Sequence, residues 1–253
     1  MSPMRITRWA IFSDIHSNLE ALEAVLADIE ALNIPGKLCL GDVVGYNANP
    51  AECVEKIRAL GLPVIQGNHD AMVAEENEAV LYEFNPVARQ GLLYSRRQLS
   101  KEQKMWLQQL PLVYRSDEFG AVHASLSVPE LWEYVLSTME AHAHFMAQDR
   151  PVFFCGHSHF PAVFTRHRRR NSVEMMEPRP DELELNPEYD YLINVGSVGQ
   201  PRDNDSRACY GILDLQKRTF EYRRVTYDVE KAANKVLQAG LYEVTAIRLM
   251  RGI

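Results

Sequence analysis

The chain has 253 residues, is 46% hydrophobic and 24% charged, and carries a formal net charge of −7. That apolar content offsets the entropy of ordering and excludes a disordered chain. The acidic balance argues against general nucleic-acid binding, which needs a basic footprint. No run approaches the roughly 18 apolar residues of a membrane span. Residues 1–9 lack the long apolar centre of a signal peptide, so a cytoplasmic location is expected.

The elements follow a strand, loop, helix, strand pattern. Arg8–Phe12 is a short apolar run of β character. Ser17-Asn18-Leu19-Glu20 resembles a capping box, and Leu19, Leu22, Val25, Leu26, Ile29 and Leu32 recur at helical spacing. Lys37–Leu40 reads as a second strand. Asn49-Pro50 starts a helix with Pro50 at its first position, and Gly61 ends it. Leu62–Gln66 reads as a third strand. Strands alternating with helices indicate right-handed βαβ units and a parallel sheet. Asn85-Pro86 and Ser100 each open a helix in the middle of the chain. Val113–Arg115 and Phe119–Val122 read as strands, Glu130–Ala147 as a helix and Val152–Cys155 as a strong strand. Ala162–Arg166, Ser172–Met176, Tyr191–Val195, Cys209–Leu213 and Thr219–Val225 suit a second sheet, and Asp228 caps a last helix to about Ala239. The sum is one domain over residues 1–253, with two sheets face to face and helices outside.

Several features read as structure rather than function. Cys39, Cys53, Cys155 and Cys209 are too widely spaced for a zinc or redox pair and read as small core residues. The basic run Arg166-His167-Arg168-Arg169-Arg170 reads as a solvated hairpin. His142 and His144 share the spacing of a chelating pair but lie in a predicted helix, where i and i+2 diverge, and read as exposed.

The chemistry-bearing residues stand directly after strands: Asp14-Ile15-His16, Gly41-Asp42, Gly67-Asn68-His69-Asp70, Val122-His123 and Gly156-His157-Ser158-His159. Ligands of open α/β sheets bind beyond the carboxyl ends of the strands. Five loops thus deliver seven nitrogen or oxygen donors to one place: Asp14, His16, Asp42, Asn68, His123, His157 and His159. Extended backbone would aim Asp14 with His16, and His157 with His159, to one side. Glycines ahead of Asp42, Asn68 and His157 allow close backbone approach. Seven donors exceed a tetrahedral zinc site and suit two divalent metals, with Asp42 bridging them. Manganese is expected, with iron, nickel, cobalt or zinc also compatible with the donors.

This order of motifs resembles the calcineurin-like metallophosphoesterase superfamily. Asp14–Leu26, Gly41–Pro50, Phe84–Pro111, His157–Pro161 and Asn194–Asp203 look like a small bacterial and archaeal phosphoesterase branch, which includes diadenosine-tetraphosphatase-like proteins. The resemblance implies an α/β fold, a four-layer αββα sandwich of two mixed sheets flanked by helices. It implies that Asp14, His16, Asp42 and His159 hold one metal, and Asp42, Asn68, His123 and His157 the other. His69 is similar to the family's catalytic histidine. The chain departs from the family at Ala124 and Val195, where glycine and proline are common.

The implied reaction is attack on phosphorus by a metal-bound hydroxide, with His69 as general acid to the leaving oxygen. Asp70 orients His69 or caps a helix starting at Ala71. Arg202 binds a phosphate oxygen or makes a surface salt bridge, and Asn68 also faces the substrate. The expected activity is hydrolysis of small, nucleotide-like phosphodiesters. Phosphomonoesters, phosphoproteins or dinucleoside polyphosphates are alternative substrates, and a non-catalytic scaffold is the remaining alternative.

Overall fold

The computed structural model describes residues 6–75, 77–176 and 182–253. Chain order runs β1 (Arg8–Phe12), α1 (Leu19–Ala31), β2 (Gly36–Cys39), α2 (Pro50–Leu60) and α3 (Asn68–Ala74). It continues through α4 (Pro86–Gln98), α5 (Lys101–Gln108), β3 (Val113–Arg115), β4 (Phe119–Val122), α6 (Thr138–Ala147) and β5 (Val152–Cys155). The remainder is β6 (Ala162–His167), β7 (Val173–Met176), β8 (Leu183–Glu184), β9 (Tyr189–Asn194), β10 (Ala208–Asp214), β11 (Thr219–Val225), α7 (Val229–Gln238) and α8 (Glu243–Arg251).

The strands form two mixed sheets, ordered β2-β1-β10-β11-β8 and β3-β4-β5-β9-β6-β7. Alternation along each strand sorts its side chains between two cores. Ile11, Leu38, Leu213 and Phe220 of the first sheet meet Phe119, Phe154, Val163 and Ile193 of the second. Ala10, Phe12, Cys39 and Ile212 face the other way, onto Leu22 and Val25 of α1, Val54 and Ile57 of α2, and Leu92 of α4. Phe153, Cys155 and Phe164 turn outward onto Ala141 and Phe145 of α6. The result is an αββα sandwich. No helix among the described residues is long and apolar enough to cross a membrane.

Local chemistry explains where the structure departs from the sequence reading. Asn18, not Ser17, caps α1, its Oδ1 accepting from the Ala21 amide at 3.1 Å. The expected strand at Leu62–Gln66 shrinks to one bridge, Val64 to Cys39. Pro63 has no amide to extend the ladder, and the Gln66 amide turns away to the Pro111 carbonyl at 2.8 Å. The expected helix from Glu130 starts late. Residues 129–131 form a short 3-10 turn, and α6 begins after Ser137, which shares a capping box with Glu140. The last two long strands join the first sheet, not the second, because β10 pairs antiparallel with β1. A further helix, α8, follows α7 and shares a small core with it.

His144 is buried, not exposed. It shares a face of α6 with Ala141 and Phe145, and its Nδ1 accepts the Leu126 amide at 3.0 Å. Burial pushes its pKa down to about 3. His142 stays exposed. In the basic hairpin, Arg166 and Arg168 both pair with Asp190, while His167 is half-buried and accepts the Arg169 and Arg170 amides. All four cysteines are buried and unbridged.

Phe154 is fully buried between the sheets. Phe154→Ala is expected to cost about 3–5 kcal/mol, read as a lower urea midpoint with a barely changed slope.

Candidate metal centre

The parallel strands β2-β1 and β4-β5-β9 end at one edge of the sandwich, and their loops interlock across the seam between the sheets. The Asp14 and His16 amides donate to the Gly41 and Asp42 carbonyls at 3.0 and 2.9 Å, zipping the first two loops together. The His157 amide, from the other sheet, donates to Asp14 Oδ2 at 3.0 Å. Gly199 donates its amide to the Asp14 carbonyl at 2.8 Å. Asp14 is therefore held from both sheets.

The backbone that aims these residues is not extended. Asp14, His16, Asp42, His157 and His159 all have φ between 46° and 66°, a left-handed conformation that non-glycine residues rarely adopt. Tight loops, rather than strand-like alternation, place Asp14 with His16 and His157 with His159. Such strain persists only where surrounding contacts over-determine it, and it concentrates at functional sites. Close packing adds a second constraint. A Cβ at Gly156 would collide with the Asp14 carboxylate and the Ser13 hydroxyl, and one at Gly45 with His69 Nδ1.

Asp14, His16, Asp42, Asn68, His69, His123, His157 and His159 are all buried and gathered at the seam. Three sets have donor atoms within 4.8 Å of one another: Asp14, His16 and His159; His16, Asp42 and His69; and Asp42, His123 and His157. His69 is thus within ligand range by distance alone.

Hydrogen bonding shows that these donors fit a cation. His16 Nδ1 lies 3.0 Å from the Val44 carbonyl, His159 Nδ1 2.7 Å from the Gln200 carbonyl, and His123 Nδ1 2.8 Å from the Leu40 carbonyl. A carbonyl only accepts, so each Nδ1 carries a proton, and in the neutral ring Nε2 presents a lone pair. The Nε2 atoms of His16 and His159 face each other at 3.0 Å. Two lone pairs at that distance repel unless a positive charge lies beside them. Asp14 Oδ1 is 3.4 Å from His159 Nε2, and Asp42 Oδ2 is 3.5 Å from His16 Nε2 and 3.4 Å from His123 Nε2. Asn68 Oδ1 and His157 Nε2 are buried without a hydrogen bond. A buried donor set of this kind is costly unless metal ions occupy it.

The charge states of the metal-free protein agree. Burial pushes Asp14 up to about 7. Burial opposes the Asp42 charge too, but His123, His69 and His16 outweigh it and hold its pKa well below the usual range. Burial works against charge on His123 as well, yet Asp42 and Asp14 raise it to about 9. A proton there takes the place of a cation. Burial drives His157 to about 3 and His16 and His159 well below normal, leaving neutral imidazoles ready to ligate.

The other residues singled out from sequence surround this cluster. His69 packs against His16 and Tyr46, with ring centroids 4.8 and 4.9 Å away, and against Phe84 at 5.8 Å. Its amide donates to Asp42 Oδ1 at 2.8 Å. Asp70 is the third residue of α3, with Gly67 as the cap. Its Oδ1 accepts the Val43 and Val44 amides and its Oδ2 the Gly67 amide, so it clamps two loops rather than the His69 ring. Arg202 Nη2 donates to Tyr46 Oη at 3.3 Å and to Gln200 Oε1 at 2.9 Å. No carboxylate pairs with Arg202 among the described residues, and its buried Nε has no partner.

Sequence reasoning missed Tyr46, Gln200 and Tyr134. Tyr134 lies flat on His157, with centroids 4.0 Å apart and planes 24° apart. None of the three belongs to a histidine or carboxylate pattern. Tyr46 alone carried a signal, in the Gly45-Tyr46 step that follows Asp42-Val43-Val44.

Asp42→Asn weakens donors in two of the three sets. It is expected to lose at least one metal per chain relative to the parent, measured by elemental analysis after dialysis against manganese.

Three comparisons bear on this centre. A calcineurin-like phosphoesterase superfamily domain matches residues 6–218. The chain is 38% identical over 247 residues to the uncharacterized protein MJ0912 of Methanocaldococcus jannaschii, covering 96% of this chain and 97% of that one. The crystal structure of a metallophosphoesterase from Sphaerobacter thermophilus superposes with a TM-score of 0.86 at 35% identity, covering 98% of this chain and 99% of that one. The hypothetical protein PH1004 of Pyrococcus horikoshii shares the fold, with a TM-score of 0.78 at 20% identity over 97% and 98% of the two chains. With its strand-end histidines and aspartates gathered at one seam, the chain belongs to the calcineurin-like phosphoesterase superfamily.

Proposed function

We propose that the protein is a two-metal phosphoesterase that hydrolyses phosphodiester bonds in small, nucleotide-like substrates. The carrying observation is the set of buried imidazole and carboxylate donors gathered beside an arginine that no carboxylate neutralises among the described residues. Asp14, His16, Asp42 and His159 would hold one cation, and Asp42, Asn68, His123 and His157 the other, with Asp42 shared. The nitrogen and oxygen donors suit manganese and other first-row divalent metals. When bound, such a pair supplies Lewis acidity toward the phosphoryl oxygens and activates water near neutral pH.

The remaining steps fall to the chain's own residues. Arg202, fixed by Tyr46 and Gln200, binds a phosphoryl oxygen through its guanidinium. His69 supplies the proton that the leaving oxygen needs. Its backbone amide on Asp42 and its packing against Tyr46 and Phe84 hold the ring at the wall of the cluster. Asp70 acts through the backbone, holding the Val43-Val44 turn against α3. Burial of the whole cluster excludes bulk water, which strengthens each electrostatic contact.

His69→Ala is expected to lower turnover by about 10²–10⁴-fold while metal content stays at the parental level. Metal loss in that variant would make His69 a ligand instead. Manganese-loaded protein is expected to cleave bis(4-nitrophenyl) phosphate faster than 4-nitrophenyl phosphate, with Asp42→Asn as blank. Faster monoester cleavage would assign the protein to phosphomonoesters.

A further inference from the structure

The rim of the metal centre carries an aromatic side chain that neither the core nor the donor set requires. Tyr134 sits in the irregular stretch between the 3-10 turn at Pro129–Leu131 and α6. One ring face lies on His157 at 4.0 Å, yet the residue remains 48% exposed. No second ring or cation lies against it among the described residues. Its neighbours Leu131 and Leu136 are also exposed, by 63% and 56%.

The segment is anchored rather than loose. Val135, the next residue, is buried in the core beneath α6. Ser137 and Glu140 fasten its end through their capping box. Trp132 holds a left-handed turn at φ 45°, a costly conformation for a bulky residue. With Val135 turned inward and Trp132 reversing the chain, Tyr134 is held outward over His157. His157 belongs to the donor set with Asp42 and His123, so the Tyr134 ring stands at the edge of that set.

We infer that Tyr134 is a stacking platform for a planar aromatic ring in the organic part of the substrate, a nucleobase in particular. The inference rests on the phosphoesterase reading and extends it to substrate selection. A phosphate held between the cluster and Arg202 must project its ester group past the rim. A tyrosine already stacked on one face is rigid and pays little entropy to stack on the other. Base stacking on an aromatic side chain is sequence-tolerant and worth roughly tenfold or more in affinity.

Calorimetry with zinc-loaded protein tests this, using AMP and ribose 5-phosphate, which differ only in the base. The parent is expected to bind AMP about tenfold more tightly. Tyr134→Leu is expected to bring the two affinities within about twofold of each other, and Tyr134→Trp to restore the preference. A parental ratio near one, or a preference that survives Tyr134→Leu, overturns the platform. Should Tyr134→Leu fail to fold, Tyr134→Trp decides alone. AMP must then quench its added tryptophan emission where ribose 5-phosphate does not, and equal quenching overturns the inference. Turnover of bis(4-nitrophenyl) phosphate by the same preparations reads the hydrolytic assignment separately. No turnover with an intact base preference removes that assignment and leaves the platform standing.

Discussion

The structure is organised around the burial of two carboxylates, Asp14 and Asp42, at the seam of two sheets. A carboxylate excluded from water is costly unless compensated. Compensation comes from the His157 amide on Asp14, the His69 amide on Asp42 and a shell of imidazoles. These partners arrive from several loops, those of His16, His69, His123 and of His157 with His159. The left-handed residues, the close glycine contacts and the carbonyls that fix the histidine tautomers all serve that convergence.

The centre also separates two kinds of histidine. At the seam, His16 and His159 commit Nδ1 to a carbonyl and leave Nε2 bare, as a ligand requires. His144 is the reverse case, with Nδ1 accepting a backbone amide inside an apolar layer. Its ring lies edge-on to Phe153 at 5.6 Å, and its work is packing. Burial alone therefore does not mark a functional histidine. The partner of its other nitrogen does.

Much of the fold was legible from local chemistry. Pro50 and Gly61 bracket α2, Asn85 and Ser100 open α4 and α5, and β3, β4, β5 and β11 lie where alternation placed them. The donor loops were legible because short polar motifs directly follow apolar strands. What was not legible was long-range. Nothing local says that β10 pairs with β1 rather than with its sequence neighbours. The inward face of α6 was hidden because His144 carries a polar label but a buried position. At the rim, Tyr134 and Gln200 matter through what they touch, and no spacing rule announces that. The extended backbone expected at Asp14-Ile15-His16 proved to be a left-handed loop, since two residues can share a direction by more than one route.

The pairing of β1 with β10 joins residues about two hundred positions apart. Asp14, near the start, is gripped by His157 and by Gly199. The seam thus contains almost the whole length of the polypeptide in its contacts. Loop closure over such spans is entropically slow and makes folding depend on late, non-local events. A nascent chain that has emerged only as far as α6 holds the aspartates and His123 but lacks the opposing strand ends. Two of the three donor sets therefore close only after β5 has been made, because they need His157 and His159.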